Sequence, residues 1–157
     1  MANTNNKHGF LWEKTNQAGA VKLNRWKSVS AAAIKVGDPL VLASGYLKLA
    51  GVTSTGLYGI AAEAVTSAAG VRKSLAIIPF AAGHVFSAQH GSTLNLTAGY
   101  FGKRCGIMGT TNGKIALNAA ATTSVLEIVG LKPGSAWGTY AELLVTVVRS
   151  TYDGSIR

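Results

Sequence analysis

Glycine punctuation is the strongest constraint this chain places on its own fold. From Trp26 onward the apolar residues come in short runs, each closed by a turn that contains glycine, and 19 of the 157 residues are glycine. Runs of this length suit strands, and no apolar stripe of helical period is sustained. Pro39 to Ala43 and Tyr46 to Ala50 flank Ser44-Gly45, a two-residue hairpin signal, and Tyr46-Leu47-Lys48-Leu49 alternates with the lysine opposite its leucines. Thr111-Asn112-Gly113-Lys114 is a second hairpin signal, because Asn-Gly tolerates the positive φ angles of a type I′ turn. Further strands are expected at Leu57 to Ala62, Val71 to Phe80, His84 to Ala88, Thr93 to Thr97, Arg104 to Met108, Lys114 to Asn118, Val125 to Leu131 and Ala141 to Ser150. The pattern predicts an all-β fold, an antiparallel β-barrel or β-sandwich of short strands.

The alanine-rich stretches Ser30 to Ile34, Ala61 to Gly70 and Ala119 to Ala121 carry helix propensity without an apolar face, so at most one short helix is expected. Two parts of the chain echo each other. Val36 to Leu42 leads through a glycine turn to Tyr46-Leu47-Lys48-Leu49-Ala50, then Thr53-Ser54 and Gly59-Ile60. Arg104 to Met108 leads through Asn112-Gly113 to Lys114-Ile115-Ala116-Leu117, then Thr122-Thr123-Ser124 and Val129-Gly130-Leu131. Both read as hairpin, Thr/Ser loop and strand, a grammar that a structural repeat or simple β habit would produce.

Residues 1–26 differ from the rest. They are rich in Asn, Lys, Gly and Thr, and Phe10, Leu11, Trp12 and Trp26 are their large apolar anchors. They hold too little apolar surface to offset their own ordering entropy, which predicts an extended N-terminal arm, with a pair of ordinary strands as the other reading. The organisation expected is therefore an arm at 1–26, one β-rich domain at 27–148 and a polar C-terminal tail at 149–157. At this length a single domain buries roughly 68–70% of its unfolded surface and folds without staples.

Charge and composition exclude several classes. The chain carries 15 basic against 6 acidic side chains, a formal charge of +9. The excess reflects scarce acids plus a basic N-terminal segment, where Lys7, Lys14, Lys22, Arg25 and Lys27 face only Glu13. One cysteine, Cys105, cannot form an intramolecular disulfide, and His8, His84 and His90 do not complete a zinc-type ligand set. The longest apolar runs fall far short of the roughly 20 residues that span a bilayer, and Met1 to His8 is polar, so neither a membrane partner nor a cleaved signal is expected.

No constellation for catalysis or cofactor binding emerges, and an enzyme is not expected. Asp38 precedes Pro39 in a turn where an aspartate bonds its own backbone. Glu127 reads as the solvent side of an alternating strand. Gly109 to Lys114 is one residue short of a phosphate-binding loop, and Ile115 stands where its Ser or Thr would hold magnesium. Gly99, Gly102 and Gly106 lack dinucleotide-fingerprint spacing. Catalytic residues, cofactor and metal are accordingly set at none. Two clusters mix cations and aromatics, Lys22-Arg25-Trp26-Lys27 and Tyr100-Phe101-Lys103-Arg104, but neither matches an RNA-recognition motif or a helix-turn-helix, and direct nucleic-acid binding is not expected.

The segment Val36-Gly37-Asp38-Pro39-Leu40-Val41-Leu42, followed by Gly45-Tyr46-Leu47 and by Gly59-Ile60-Ala61 with Glu63-Ala64, resembles the small capsid decoration, or cement, proteins of tailed bacteriophages. The likeness extends loosely to Val125 to Leu131 and covers about residues 28 to 131. The resemblance implies a structural virion protein on the capsid exterior, a β-rich module that binds the major capsid protein, often as a trimer, and stabilises contacts between its subunits. The partners it implies are the major capsid protein and further copies of this chain. Outside that segment, composition makes Phe10, Trp12, Lys14, Lys22, Arg25 and Trp26 the expected intersubunit contacts, and deletion of residues 1–26 is expected to leave the β core folded. Two other readings stand beside it. One is a different β-rich phage assembly component, such as a tail tube, head fibre or shell subunit. The other is a basic nucleic-acid-binding β module.

Overall fold

Apolar alternation closed by positive-φ turns produces strands across the described residues. The structure is a computed structural model and describes residues 9–15, 23–81, 83–91, 94–108, 115–116 and 125–148. Its strands are β1 (Leu11–Thr15), β2 (Asn24–Lys27), β3 (Ala33–Ile34), β4 (Pro39–Ala43), β5 (Tyr46–Leu49), β6 (Gly59–Ala61), β7 (Val65–Thr66), β8 (Ser74–Pro79), β9 (His84–Gln89), β10 (Arg104–Ile107), β11 (Ile115–Ala116), β12 (Leu126–Leu131) and β13 (Glu142–Val147). A 3₁₀ turn at Ala98–Tyr100 is the helical element among the described residues.

These strands form three antiparallel sheets. One has six strands in the order β1-β9-β13-β12-β10-β11, one has five in the order β2-β8-β6-β4-β5, and β3 pairs with β7. Neither large sheet closes into a barrel. A single parallel bridge, Ser28 to Leu47, tacks one end of β2 to β5. The β4–β5 hairpin has the expected register, Ala43 opposite Tyr46, with Ser44 and Gly45 at φ 50° and 79°. Pro39 opens β4, where a missing N–H disturbs the ladder least.

The core lies where the two large sheets meet. Ile60 and Phe80 from the first half pack with Phe86, Leu126, Ile128, Leu143 and Val145 from the second, a sandwich-like arrangement. A satellite cluster of Ile34, Leu40, Leu47, Leu75 and Ile77 fills the space inside the five-stranded sheet.

The sequence echo is a structural repeat. Taking β2, β4, β5, β6 and β8 as one unit and β9, β10, β11, β12 and β13 as another, the spatial orders β5-β4-β6-β8-β2 and β11-β10-β12-β13-β9 are the same. The main-chain bonds match residue by residue. Gly37 N–H donates to Ala61 C=O at 2.8 Å, and Asp38 C=O accepts from Ala61 N–H at 2.9 Å. Gly102 N–H donates to Ile128 C=O at 2.8 Å, and Lys103 C=O accepts from Ile128 N–H at 3.0 Å. Gly37 and Gly102 both adopt positive φ, 83° and 75°, which lets each turn aim its N–H back at the third strand of its unit. Ser28 and His90 likewise donate to Lys73 and Ala141, and Phe80 and Val148 to Tyr58 and Val125. Strand β1 stands outside the repeat as an addition to the edge of β9.

Several expectations need correction. The described part of the 1–26 segment is extended, yet it pairs within its own chain, as β1 on β9 and β2 on β8. Phe10 is only 1% exposed and meets Phe80 edge-on at 6.3 Å. Gly9 lies so close to the Gly37 carbonyl that a Cβ would come within 2.8 Å, and Phe10 N–H donates to that carbonyl. Removing residues 1–26 therefore takes out core and two sheet edges, so the remainder is not expected to stay folded as it is. Ala61 to Gly70 is not helical: Ala61 ends β6, and Val65–Thr66 in its middle form β7. The strand expected at Thr93 to Thr97 does not form over its described residues, 94–97. There Leu96 alone is buried, and its N–H bonds to the Gly138 carbonyl of a loop at 3.3 Å, so the segment is anchored by one side chain without joining a ladder. The expected Val71 to Phe80 strand begins only at Ser74. The Thr111 to Lys114 turn and the 149–157 tail lie outside the described residues, although β10 and β11, on either side of that turn, pair antiparallel.

Phe10→Ala is expected to destabilise the chain by about 3–5 kcal/mol in urea unfolding, the usual cost of emptying a buried aromatic site. A loss below about 0.5 kcal/mol, the scale of a surface change, would refute the placement of Phe10 in the core.

Candidate interaction surface

The two strands contributed by the N-terminal segment are both sheet edges, and each is held by an ion pair. In β1 the register slips between Trp12 and Lys14, so Glu13 is the extra residue of a bulge. Its carboxylate accepts from the Ser87 hydroxyl and lies 3.2 Å from Lys132 Nζ. Lys132 Nζ also lies 3.1 Å from Glu142 Oε2, which makes one lysine the link between β1, β13 and the loop after β12. Burial alone would lower the Lys132 pKa, but hydrogen bonds to Glu142 and Glu13 and their negative charge outweigh it and hold the ammonium above its ordinary value.

In β2 the Arg25 guanidinium reaches both oxygens of Glu63 at 3.1 and 3.5 Å. Glu63 Oε1 in turn accepts from Ala76 N–H at 2.8 Å, so the side chain that receives the arginine is itself tied to β8. Trp26 stands edge-on to Tyr58, centroids 5.6 Å apart, and keeps 37% exposure. Trp12 on β1 is 39% exposed, with Lys14 exposed beside it.

Of the six residues expected to make contacts, Trp12 and Lys14 thus fall on one sheet edge, and Arg25 and Trp26 on the edge of another sheet. Phe10 is core, and Lys22 lies outside the described residues. They do not form one strip. Sequence reasoning left Lys27, Arg72 and Lys73 out of the contact set, yet they share the β2 end of the five-stranded sheet: Lys27 opposes Ser74, and Lys73 N–H donates to Ser28 Oγ. Arg72 covers the Tyr46 ring at 3.9 Å.

Other candidate groups are occupied structurally. Asp38 is buried and accepts from Lys35 N–H at 2.8 Å, closing its own turn. Glu127 is half-buried opposite Arg104, between the buried Leu126 and Ile128. Cys105 is buried, and burial pushes its thiol up to about 12, away from nucleophilic chemistry at neutral pH. His84 Nδ1 is 3.0 Å from the Pro79 carbonyl. Among the described residues no three of His, Cys, Asp and Glu are grouped as metal ligands, and no helix is long and apolar enough to cross a membrane. A groove of about 310 Å³ beside the β4–β5 hairpin is lined by Val41, Leu42, Lys48, Thr53 and Ser54 among others, and Lys48 is the titratable group among its described lining residues.

Lys132→Met leaves Glu13 and Glu142 without their shared cation and is expected to cost about 1 kcal/mol at neutral pH, the upper range for partly exposed pairs. Because the folded-state pKa of Lys132 is raised, its contribution is complete below the ordinary lysine value of 10.5 and is lost as pH rises beyond it. The stability difference between wild type and Lys132→Met should therefore shrink above that pH in denaturant titrations. A difference that grows there would contradict the assignment.

No protein-family model matches the chain, and neither the curated proteins nor the solved structures yield a match.

Proposed function

We propose that this chain is a structural virion protein, a decoration or cement module that binds the outer face of a tailed-phage head and stabilises contacts between major capsid subunits. The observation that carries the reading is the character of the exposed edges. Trp12 and Lys14 on β1, and Trp26 and Lys27 on β2, offer large apolar and cationic side chains on strands of the sheets, whereas Glu13, Asp38, Glu63 and Glu142 serve the fold. Exposed aromatics flanked by cations suit protein docking, since rigid rings bury much area at low entropic cost. The segment that resembles cement proteins builds β4, β5 and β6, a scaffold that presents β2 through β8. Binding in many copies would add avidity to modest individual contacts. In this role the chain is not an enzyme, and it acts with the capsid protein and further copies of itself.

A nucleic-acid role draws less support. The Tyr100 ring is covered by Lys103 Nζ at 4.8 Å, and Tyr46 by Arg72, so cations of the same chain occupy faces on which bases would stack.

Purified protein mixed with empty, expanded heads is expected to sediment with them at fixed stoichiometry and to appear as density on the shell exterior. The double variant Trp12→Ala/Trp26→Ala should fold and lose at least tenfold in head affinity. Density in the tail or interior, or assembly of the chain alone into rings or tubes, would point to the other assembly role. DNA affinity that falls steeply with salt would point to the nucleic-acid module.

A further inference from the structure

The internal repeat exposes an asymmetry. Both units end in an edge strand, β9 in one and β2 in the other, and the registers on β8 and β13 make Ser87 the counterpart of Arg25 and Phe86 the counterpart of Asn24. The outer edge of β9 is covered by β1, with Leu11 opposite Ser87 and Trp12 opposite Phe86. The outer edge of β2 is the end of its sheet, and among the described residues no strand pairs with it over Leu23 to Arg25. Ser28 N–H donates to Lys73 on the β8 side, so by strand alternation the main-chain groups of Arg25 and Leu23 point outward. Val29 N–H, on the same outward side, already meets Leu47 C=O, which limits the open edge to the stretch before Lys27.

We infer that the outer edge of β2 is a docking edge for an extended, acidic segment of a different protein, in the register by which β1 covers β9. Two observations select that occupant. In the covered unit, the strand on β9 places Leu11 opposite Ser87 and brings Glu13 to its hydroxyl; in the open unit Arg25 stands at the Ser87 position, with Lys27 two residues on along the same face. An acidic side chain opposite Arg25, at the Leu11 position of an added strand, would stand beside Arg25 and diagonally from Lys27. The chain itself cannot provide such a segment. Its acids are Glu13, Asp38, Glu63, Glu127, Glu142 and Asp153, and only Asp153 lies outside the described strands and turns, in a tail that also carries Arg149 and Arg157. A second copy, itself at +9, is no better matched. Strand addition supplies main-chain bonds, and the cations select the partner. The inference does not depend on the particle to which the chain binds.

The probe is an acetylated octapeptide of alternating threonine and glutamate, with its threonine and lysine counterpart as control, added to the full chain. The glutamate peptide is expected to slow hydrogen exchange at the amides of Leu23 and Arg25, and the lysine peptide to leave them unchanged. Lys27→Glu, which spares the Arg25–Glu63 pair, should weaken the glutamate peptide at least tenfold. Arg25→Pro, which removes an outward N–H at an edge position, should abolish the protection at Leu23. Each variant is first checked for a native near-ultraviolet spectrum, and either one suffices. Absence of protection at these amides, equal protection by the lysine peptide, or undiminished binding by a folded variant would overturn the proposal. Protection of the same amides by self-association alone would assign the edge to a second copy and overturn it as well.

Discussion

Burial of two sheet faces against one another around Phe10, Phe80 and Phe86 is the constraint on which the remaining structure depends. Phe80 follows β8 and Phe86 lies in β9, so the pair, 4.7 Å apart and edge-on, sits on either side of the short passage from one sheet to the other. Burying each ring contributes roughly 1.5–3 kcal/mol, and an edge-on aromatic pair adds about 0.5–1.5 kcal/mol. Phe10 joins the same group and thereby pulls the N-terminal segment onto β9. Without that anchor β1 would be held by its edge ladder on β9 and the Glu13 contacts, and a partly exposed ion pair adds little against the segment's ordering entropy.

The same arrangement explains how two equivalent units come to present different surfaces. The bonds that define the repeat run between main-chain groups, at Gly37 and Gly102, Ser28 and His90, Phe80 and Val148. Side chains at matching positions are therefore free to differ. Asp38 is buried where Lys103 is exposed, and Trp26 stands against Tyr58 where Ala88 is buried in the central core. One unit accepts β1 on its edge and contributes the larger share of the central core. The other ends at β2, with whose outer edge no strand of the described residues pairs at Arg25, and carries Lys27, Arg72 and Lys73 at that end of its sheet. Surface differences of this kind are added to a scaffold whose turns carry the common frame.

Legibility in the sequence followed the range of the interaction. The β4–β5 hairpin was readable to the residue because Ser44-Gly45 and the Tyr46 to Leu49 alternation are local signals. Asp38 in its turn and Glu127 between buried neighbours were readable for the same reason. Strand β1 was not, since a bulge breaks its alternation at Glu13 and its partner lies far along the chain. The Arg25–Glu63 pair and the Glu13–Lys132–Glu142 cluster were equally hidden, because opposite charges distant in sequence carry no mark of their proximity.

By itself the sequence determined that the chain is all-β, where most of its strands lie, and that two stretches share one hairpin grammar. Backbone preferences of glycine turns and two-residue alternation act over a few residues and leave their trace in a few residues. Only the tertiary structure decided that the N-terminal segment pairs with its own two sheets, that the strands sort into two equivalent units in place of a barrel, and that among the described residues no strand pairs with the outer edge of β2 at Arg25. Those choices depend on which apolar faces can be buried together, and on a competition among distant partners that local sequence does not encode.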